Sequence, residues 1–126
     1  MSTAIASVSE PEFTADAEAT EGMLKLSLIG NADLNVKTML DQLLSTVHQE
    51  AQGRGVPEVE VDMRKLEFMN SSCLKCLVAW ISRIQDTPPA RQYRVNFRSS
   101  PALFWQKRSL QALALLASEL VTVSTA

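Results

Sequence analysis

Two hydrophobic periods alternate along this chain, and that alternation restricts its fold more than any single motif. Met23-Leu24-Lys25-Leu26-Ser27-Leu28-Ile29 puts an apolar residue at every second position, with Leu24, Leu26 and Leu28 on one side. A period of two is the mark of a half-buried strand. Val59–Met63 and Tyr93–Phe97 repeat the pattern, and a weaker alternation from Phe13 to Ala19 predicts a strand ahead of them. Glu21-Gly22 reads as a turn, and Gly30-Asn31 breaks the strand that follows it. Between these runs the period changes. Val36, Met39, Leu40, Leu43, Leu44 and Val47 form one apolar stripe of a helix from about Leu34 to Ala51, with Asp33 or Asn35 able to cap its start. Leu74, Leu77, Val78, Ile81 and Ile84 line a second helix, from about Ser71 to Gln85, which Pro88-Pro89 stops.

A third helix is predicted from Ser100-Pro101 to about Ser118. Ser100 has cap chemistry and Pro101 suits the first helical position. Its core residues would be Leu103, Leu110, Leu113, Leu116 and Ala117, and Val121–Val123 would be a short last strand. Strands and helices in this order predict an α/β domain with helices packed on a central sheet. A length of 126 residues suits one domain with a core that needs neither metal nor disulfide. Residues 1–12 are small and polar, and are expected as a flexible segment or an edge extension; 13–126 form the expected domain.

Composition excludes several function classes. Hydrophobic residues make up 46% and charged residues 21%, as in an ordinary globular protein. A net charge of −2 argues against a nucleic-acid partner, which needs clustered positive charge. Arg91, Arg94, Arg98, Lys107 and Arg108 enrich the last third in positive charge, and read as a solvated surface. No apolar run reaches the roughly 18 residues of a membrane span. Met1–Ser9 lacks the basic start and apolar block of a signal peptide, so a cytoplasmic location is expected.

The candidate site lies where a strand-like run meets a helix, at Leu66–Leu74. Asn70-Ser71-Ser72 occupies that junction. Free N–H groups and the dipole at a helix start favour an anion there. An Asn or Ser at this place caps the helix, at about 0.5–2 kcal/mol, and an exposed serine could also accept a phosphate. Cys73 and Cys76 form a C-x-x-C at the same helix start, which admits a thiol oxidoreductase. The stronger reading is a pair of buried structural thiols, because Cys73 shares a helix side with Leu77 and Trp80. A zinc site is disfavoured: there is no second C-x-x-C, and His48, the only histidine, lies on another helix. His48 near a helix end suits a partly positive imidazole and is assigned no catalysis. Asp62 could shape the nearby loop or bind an ion. An exposed Trp105 would suit a partner interface. Neither a Ser/His/Asp set nor a Walker loop is present, so no catalytic residue, metal or cofactor is assigned.

Together these elements resemble the STAS domain, the family of anti-sigma-factor antagonists and of the cytoplasmic tails of sulfate transporters. The resemblance runs from about Gly22 to Val123. Leu28–Leu34 is similar to the turn that opens the family's first helix. Val59–Asp62 with Phe68–Leu74 is similar to its strand and phosphorylation loop, usually D-S-S-G. Ser99–Leu110 resembles the loop and helix after its fourth strand. The resemblance implies a mixed four- to five-stranded sheet with helices mainly on one face. It also implies a non-catalytic bacterial regulator that switches between partners. A serine kinase or anti-sigma-like protein phosphorylates the first serine, here Ser71, and a phosphatase resets it. Asn70, Ser72, Cys73 and Lys75, with Asn31 and Asp33 from the neighbouring turn, would form the partner surface. Asn70 replaces the family's aspartate and Cys73 its glycine. Those two departures fit an alternative: a STAS subunit of a membrane transport or scaffold complex that binds without phosphorylation.

Overall fold

The computed structural model describes residues 3–125. Six strands and three α-helices follow in the order β1 (Thr3–Glu10), β2 (Phe13–Thr20), β3 (Met23–Ala32), a 3₁₀ turn (Leu34–Val36), α1 (Lys37–Arg54), β4 (Glu58–Met69), α2 (Ser71–Gln85), a 3₁₀ turn (Pro89–Arg91), β5 (Arg94–Ser99), α3 (Phe104–Leu116) and β6 (Val121–Thr125). The strands lie in one sheet in sequence order. β1–β2–β3 are antiparallel, and β3–β4–β5–β6 are parallel. Each parallel pair is joined by one helix. Successive right-handed crossovers in one direction place all three helices on the same face.

Burial agrees with that layering. Leu24, Leu26 and Leu28 of β3, Val59, Val61 and Met63 of β4, and Val95 and Phe97 of β5 are buried beneath the helices. Leu40, Leu43, Leu44 and Val47 of α1 and Leu77, Ile81 and Ile84 of α2 close over them. The other face is polar. There Glu60 lies 3.8 Å from Lys25 and 3.9 Å from Arg98, bridging three adjacent strands.

Several expectations need correction. The sheet has six strands rather than four or five, because residues 3–10 form an edge strand instead of a flexible segment. β1 packs against α1, with Ile5, Ala6 and Val8 against the core. β4 runs on to Met69, well past the expected end at Met63. Its pairing with β5 stops at Asp62, while pairing with β3 continues across two register shifts to Ala32–Met69. α3 begins at Phe104, and Ser100 does not cap it. Leu116, expected in the core, is exposed.

Gly30 sits at one of those register shifts with φ 98°. A Cβ there would overlap the Glu12 carbonyl, which accepts the Asn31 N–H at 2.7 Å. Only glycine permits that approach. The β1–β2 hairpin is thereby tied to the turn ahead of α1.

Candidate functional site

Two turns meet at the carboxyl edge of the parallel strands: Ala32–Asn35 after β3, and Met69–Ser71 after β4. The Asn70 N–H donates to the Ala32 carbonyl at 2.8 Å. The Asp33 carboxylate accepts the Asn35 N–H at 2.9 Å and so caps the 3₁₀ turn. Asn70, in an extended conformation, caps α2: its Oδ1 accepts the Ser72 N–H at 2.6 Å. The cap therefore belongs to Asn70, and neither serine hydroxyl makes it. Ser71 is the first residue of α2 and is exposed; Ser72 is half-buried. Lys75, one turn further on, is exposed as well. The fold thus brings Asn31, Asp33, Asn70, Ser71, Ser72 and Lys75 to one edge.

Cys73 departs from the expected surface set. Its side chain is fully buried, and its Sγ lies 3.2 Å from the Asp33 carbonyl. It holds the two turns together from below and offers a partner no contact. Cys76 is buried behind it, 3.4 Å from the Ser72 carbonyl. Burial, with Asp33 close by, raises the Cys73 pKa. Burial and the neighbouring Asp41 push Cys76 up to about 11. A thiol oxidoreductase needs the opposite shift, so the redox reading of this pair fails on both access and charge.

Apolar side chains flank the serine. Leu34 on the 3₁₀ turn is 62% exposed, and Phe68, two residues before Asn70, is 49% exposed. Exposed apolar groups close together mark contact surfaces.

Comparisons by sequence, with family models and with curated proteins, returned no match. The comparison of structures did. The crystal structure of an anti-sigma factor antagonist from Mycobacterium paratuberculosis superposes with a TM-score of 0.66 over 91% of this chain and 90% of that one, at 19% identity. This is a STAS-like fold. At that identity the likeness concerns architecture, and it agrees with the mixed sheet and one-sided helices expected of the chain.

Two residues of the STAS-like domain that support the site were missed as such in the sequence. Beyond Asp62, β4 has left β5, so its carbonyls on that side need other donors. Gln106 of α3, wholly buried, supplies them: its Nε2 donates to Met63 O at 2.6 Å and to Leu66 O at 2.9 Å. Its Oε1 accepts the Ser100 N–H at 2.9 Å. Trp105 is half-buried, and its indole N–H donates to Glu67 O at 2.8 Å. Trp105 therefore braces the approach to Asn70 rather than presenting itself to a partner. A polar Gln at a core-facing helical position was the one signal available.

Asp62 does not reach the loop. Its carboxylate receives Arg64 Nε at 3.0 Å and Nη2 at 2.8 Å on the open face. The Arg64 hydrogen bond, outweighing burial, holds Asp62 at about 2. His48 is buried, not a charged helix end: its Nδ1 lies 2.7 Å from the Tyr93 hydroxyl. Burial, then Arg83 and Arg91, lower its pKa. Among the described residues no cluster of His, Cys, Asp or Glu could hold a metal, and no helix is long and apolar enough to cross a membrane.

Proposed function

We propose that this chain is a non-catalytic, cytoplasmic partner-switching regulator of the anti-sigma-factor-antagonist kind, released from its partner by phosphorylation of Ser71 and reset by a phosphatase. The observation that carries the reading is the division of labour at the α2 start. Asn70 makes the cap, so the Ser71 hydroxyl is not needed for folding and faces solvent. A phosphate on Ser71 would sit among helix N-terminal N–H groups, with the Lys75 ammonium one turn away. It would leave α2 intact and place about two negative charges between Leu34 and Phe68. A partner docked on those apolar groups would have to bury that charge, and would let go. The solved protein of the same fold is an anti-sigma factor antagonist, which supports this class of partner.

The test is incubation with candidate serine kinases and ATP, followed by mass spectrometry and partner-binding assays. Phosphate on Ser71, together with weakened kinase or anti-sigma binding by Ser71→Asp, is the expected result. No phosphate on Ser71 and unchanged binding by Ser71→Asp would overturn it.

A second reading draws on the neutral cap. Asn70 completes the turn without a carboxylate beside Ser71, which suits a STAS subunit that binds within a transport or scaffold complex and is never phosphorylated. Copurification separates the two: a serine kinase supports the first reading, and a membrane or scaffold subunit supports the second.

A further inference from the structure

α3 carries apolar residues on two sides. Gln106, Leu110 and Leu113 face the sheet and are buried. Phe104, Arg108, Gln111 and Leu115 each lie two residues off that inner row, about 200° round a helix of 3.6 residues per turn, and so line the outer side. Phe104 is 85% exposed and Leu115 84%, the two most open large apolar side chains among the described residues, and Leu116 beside them is exposed too. A helix with apolar residues on its outer side as well as its inner one is ordinarily covered on both.

The outer row has the spacing four, three, four. That is the a/d seam of a helix that pairs with another helix. Its two ends are apolar and stand about 16 Å apart, at roughly 1.5 Å per residue. Its centre is charged. Arg108 and the adjoining Lys107 form no ion pair among the described residues. No Asp or Glu occurs between Phe104 and Leu116. Two bases in the first half of a helix also run against its dipole, so their placement does not serve α3 itself.

We infer that the outer side of α3 receives an amphipathic helix of a partner protein, with apolar residues against Phe104 and Leu115 and a carboxylate against Arg108. A charged residue at the centre of a seam selects the partner by the charge it requires. A second copy of this chain does not supply that charge. Two antiparallel α3 helices would gather both Arg108 and both Lys107 about the axis, with no carboxylate on either helix to meet them. A lipid surface fits less well for another reason. Interfacial helices keep their bases on a separate polar face, whereas Arg108 lies within the row that Phe104 and Leu115 define.

The experiment titrates the isotopically labelled full chain with a stapled helical peptide and follows the α3 amides by NMR. The peptide has leucine at both ends of a four-three-four seam and glutamate at its centre; a twin has lysine in place of each glutamate. Saturable shifts centred on Phe104–Leu116 are expected, with the lysine twin about tenfold weaker or more. Phe104→Ala and Leu115→Ala alter exposed side chains and should fold, and each should weaken binding about tenfold. Arg108→Glu should reverse the preference, so that the lysine twin binds better. Absence of saturable shifts, equal affinity for the two peptides, or a glutamate preference that survives Arg108→Glu would overturn the assignment. Two controls use the chain without peptide. A dimer in sedimentation velocity that Phe104→Ala abolishes would give the face to a second copy instead. Cosedimentation with phosphatidylserine vesicles that Phe104→Ala abolishes would give it to a lipid surface instead. None of these outcomes bears on Ser71, so the two proposals stand or fall separately.

Discussion

Tyr93 stands between a donor that cannot accept and an acceptor that must stay neutral. The Trp80 indole N–H donates to its hydroxyl oxygen at 2.9 Å, and the hydroxyl is left to donate to His48 Nδ1 at 2.7 Å. All three side chains are buried, and they join α1, α2 and the start of β5. Burial raises the Tyr93 pKa, so the phenol remains a donor across the accessible pH range. Tyr93→Phe would keep the ring and remove both bonds, leaving the Trp80 N–H and His48 Nδ1 unpaired in the core. At about 1–3 kcal/mol per orphaned group, an expected loss of about 2–4 kcal/mol should appear as a lower urea midpoint with an unchanged slope. A second pair of substitutions separates cap from switch. Asn70→Ala should cost about 1 kcal/mol through the lost cap, whereas Ser71→Ala should stay within about 0.5 kcal/mol, as exposed sites do. Equal losses from the two would mean that Ser71 has a structural role after all.

Among the elements, β4 and α3 depend on each other. The outer half of β4 has a strand partner on one side only, and Gln106 serves the other side through two carbonyls while accepting the Ser100 N–H. Gln106→Leu is close in volume but leaves three backbone groups orphaned, so a loss of about 2–5 kcal/mol is expected. Hydrogen exchange should quicken first at Arg64–Met69 and at Ser100. If urea denaturation shows a loss below about 1 kcal/mol, Gln106 is not the brace described. This dependence explains what could be read from the chain and what could not. The extent of α2 was legible because its stripe and its proline stop are local. So was the placement of Ser71 at a helix start. The cap was not: Asn70 and the serines share cap chemistry, with Ser72 the favoured one, and the cap belongs to Asn70. Nor was the end of β4, because Arg64 and Lys65 interrupt the apolar alternation, and it is non-local partners, Ile29–Ala32 on one side and Gln106 and Trp105 on the other, that hold the segment extended. The start of α3 was misplaced for a similar reason. Ser100-Pro101 has the chemistry of a helix start, yet a side chain six residues on takes the Ser100 N–H, and the helix opens at Phe104. β1 was ambiguous since its small residues fit an edge strand and a loose tail equally well. Cys73 was legible as a core thiol from its helix side, but its bond to Asp33 crosses between elements and has no local signature.

On the scale of the whole molecule, the sheet divides two kinds of ionisable group. The helix-covered face holds His48, kept neutral; the open face holds Asp62, kept charged. Each makes stability depend on pH, over separate windows. The folded pKa of His48 lies below its ordinary 6.5. As pH falls below that value the unfolded chain takes up a proton that the folded one resists, so stability falls. The contribution is fully present above 6.5 and is lost by the time pH reaches the folded pKa. The Asp62 carboxyl is held at about 2 against an ordinary 3.8. Its contribution is present above 3.8 and is lost as pH falls from there towards 2. Urea midpoints measured from pH 8 downward should therefore fall in two stages. His48→Gln should flatten the first stage alone, and Asp62→Asn the second alone. The two residues share no hydrogen-bond partner and lie on opposite sides of the sheet, so the effects should add in the double variant. A first stage that persists in His48→Gln would place its origin outside the Trp80–Tyr93–His48 chain. A first stage that shrinks in Tyr93→Phe would mean that the phenol, by donating to Nδ1, helps keep the imidazole neutral. That last outcome is the expected one, because a phenylalanine there leaves Nδ1 free to take up the proton.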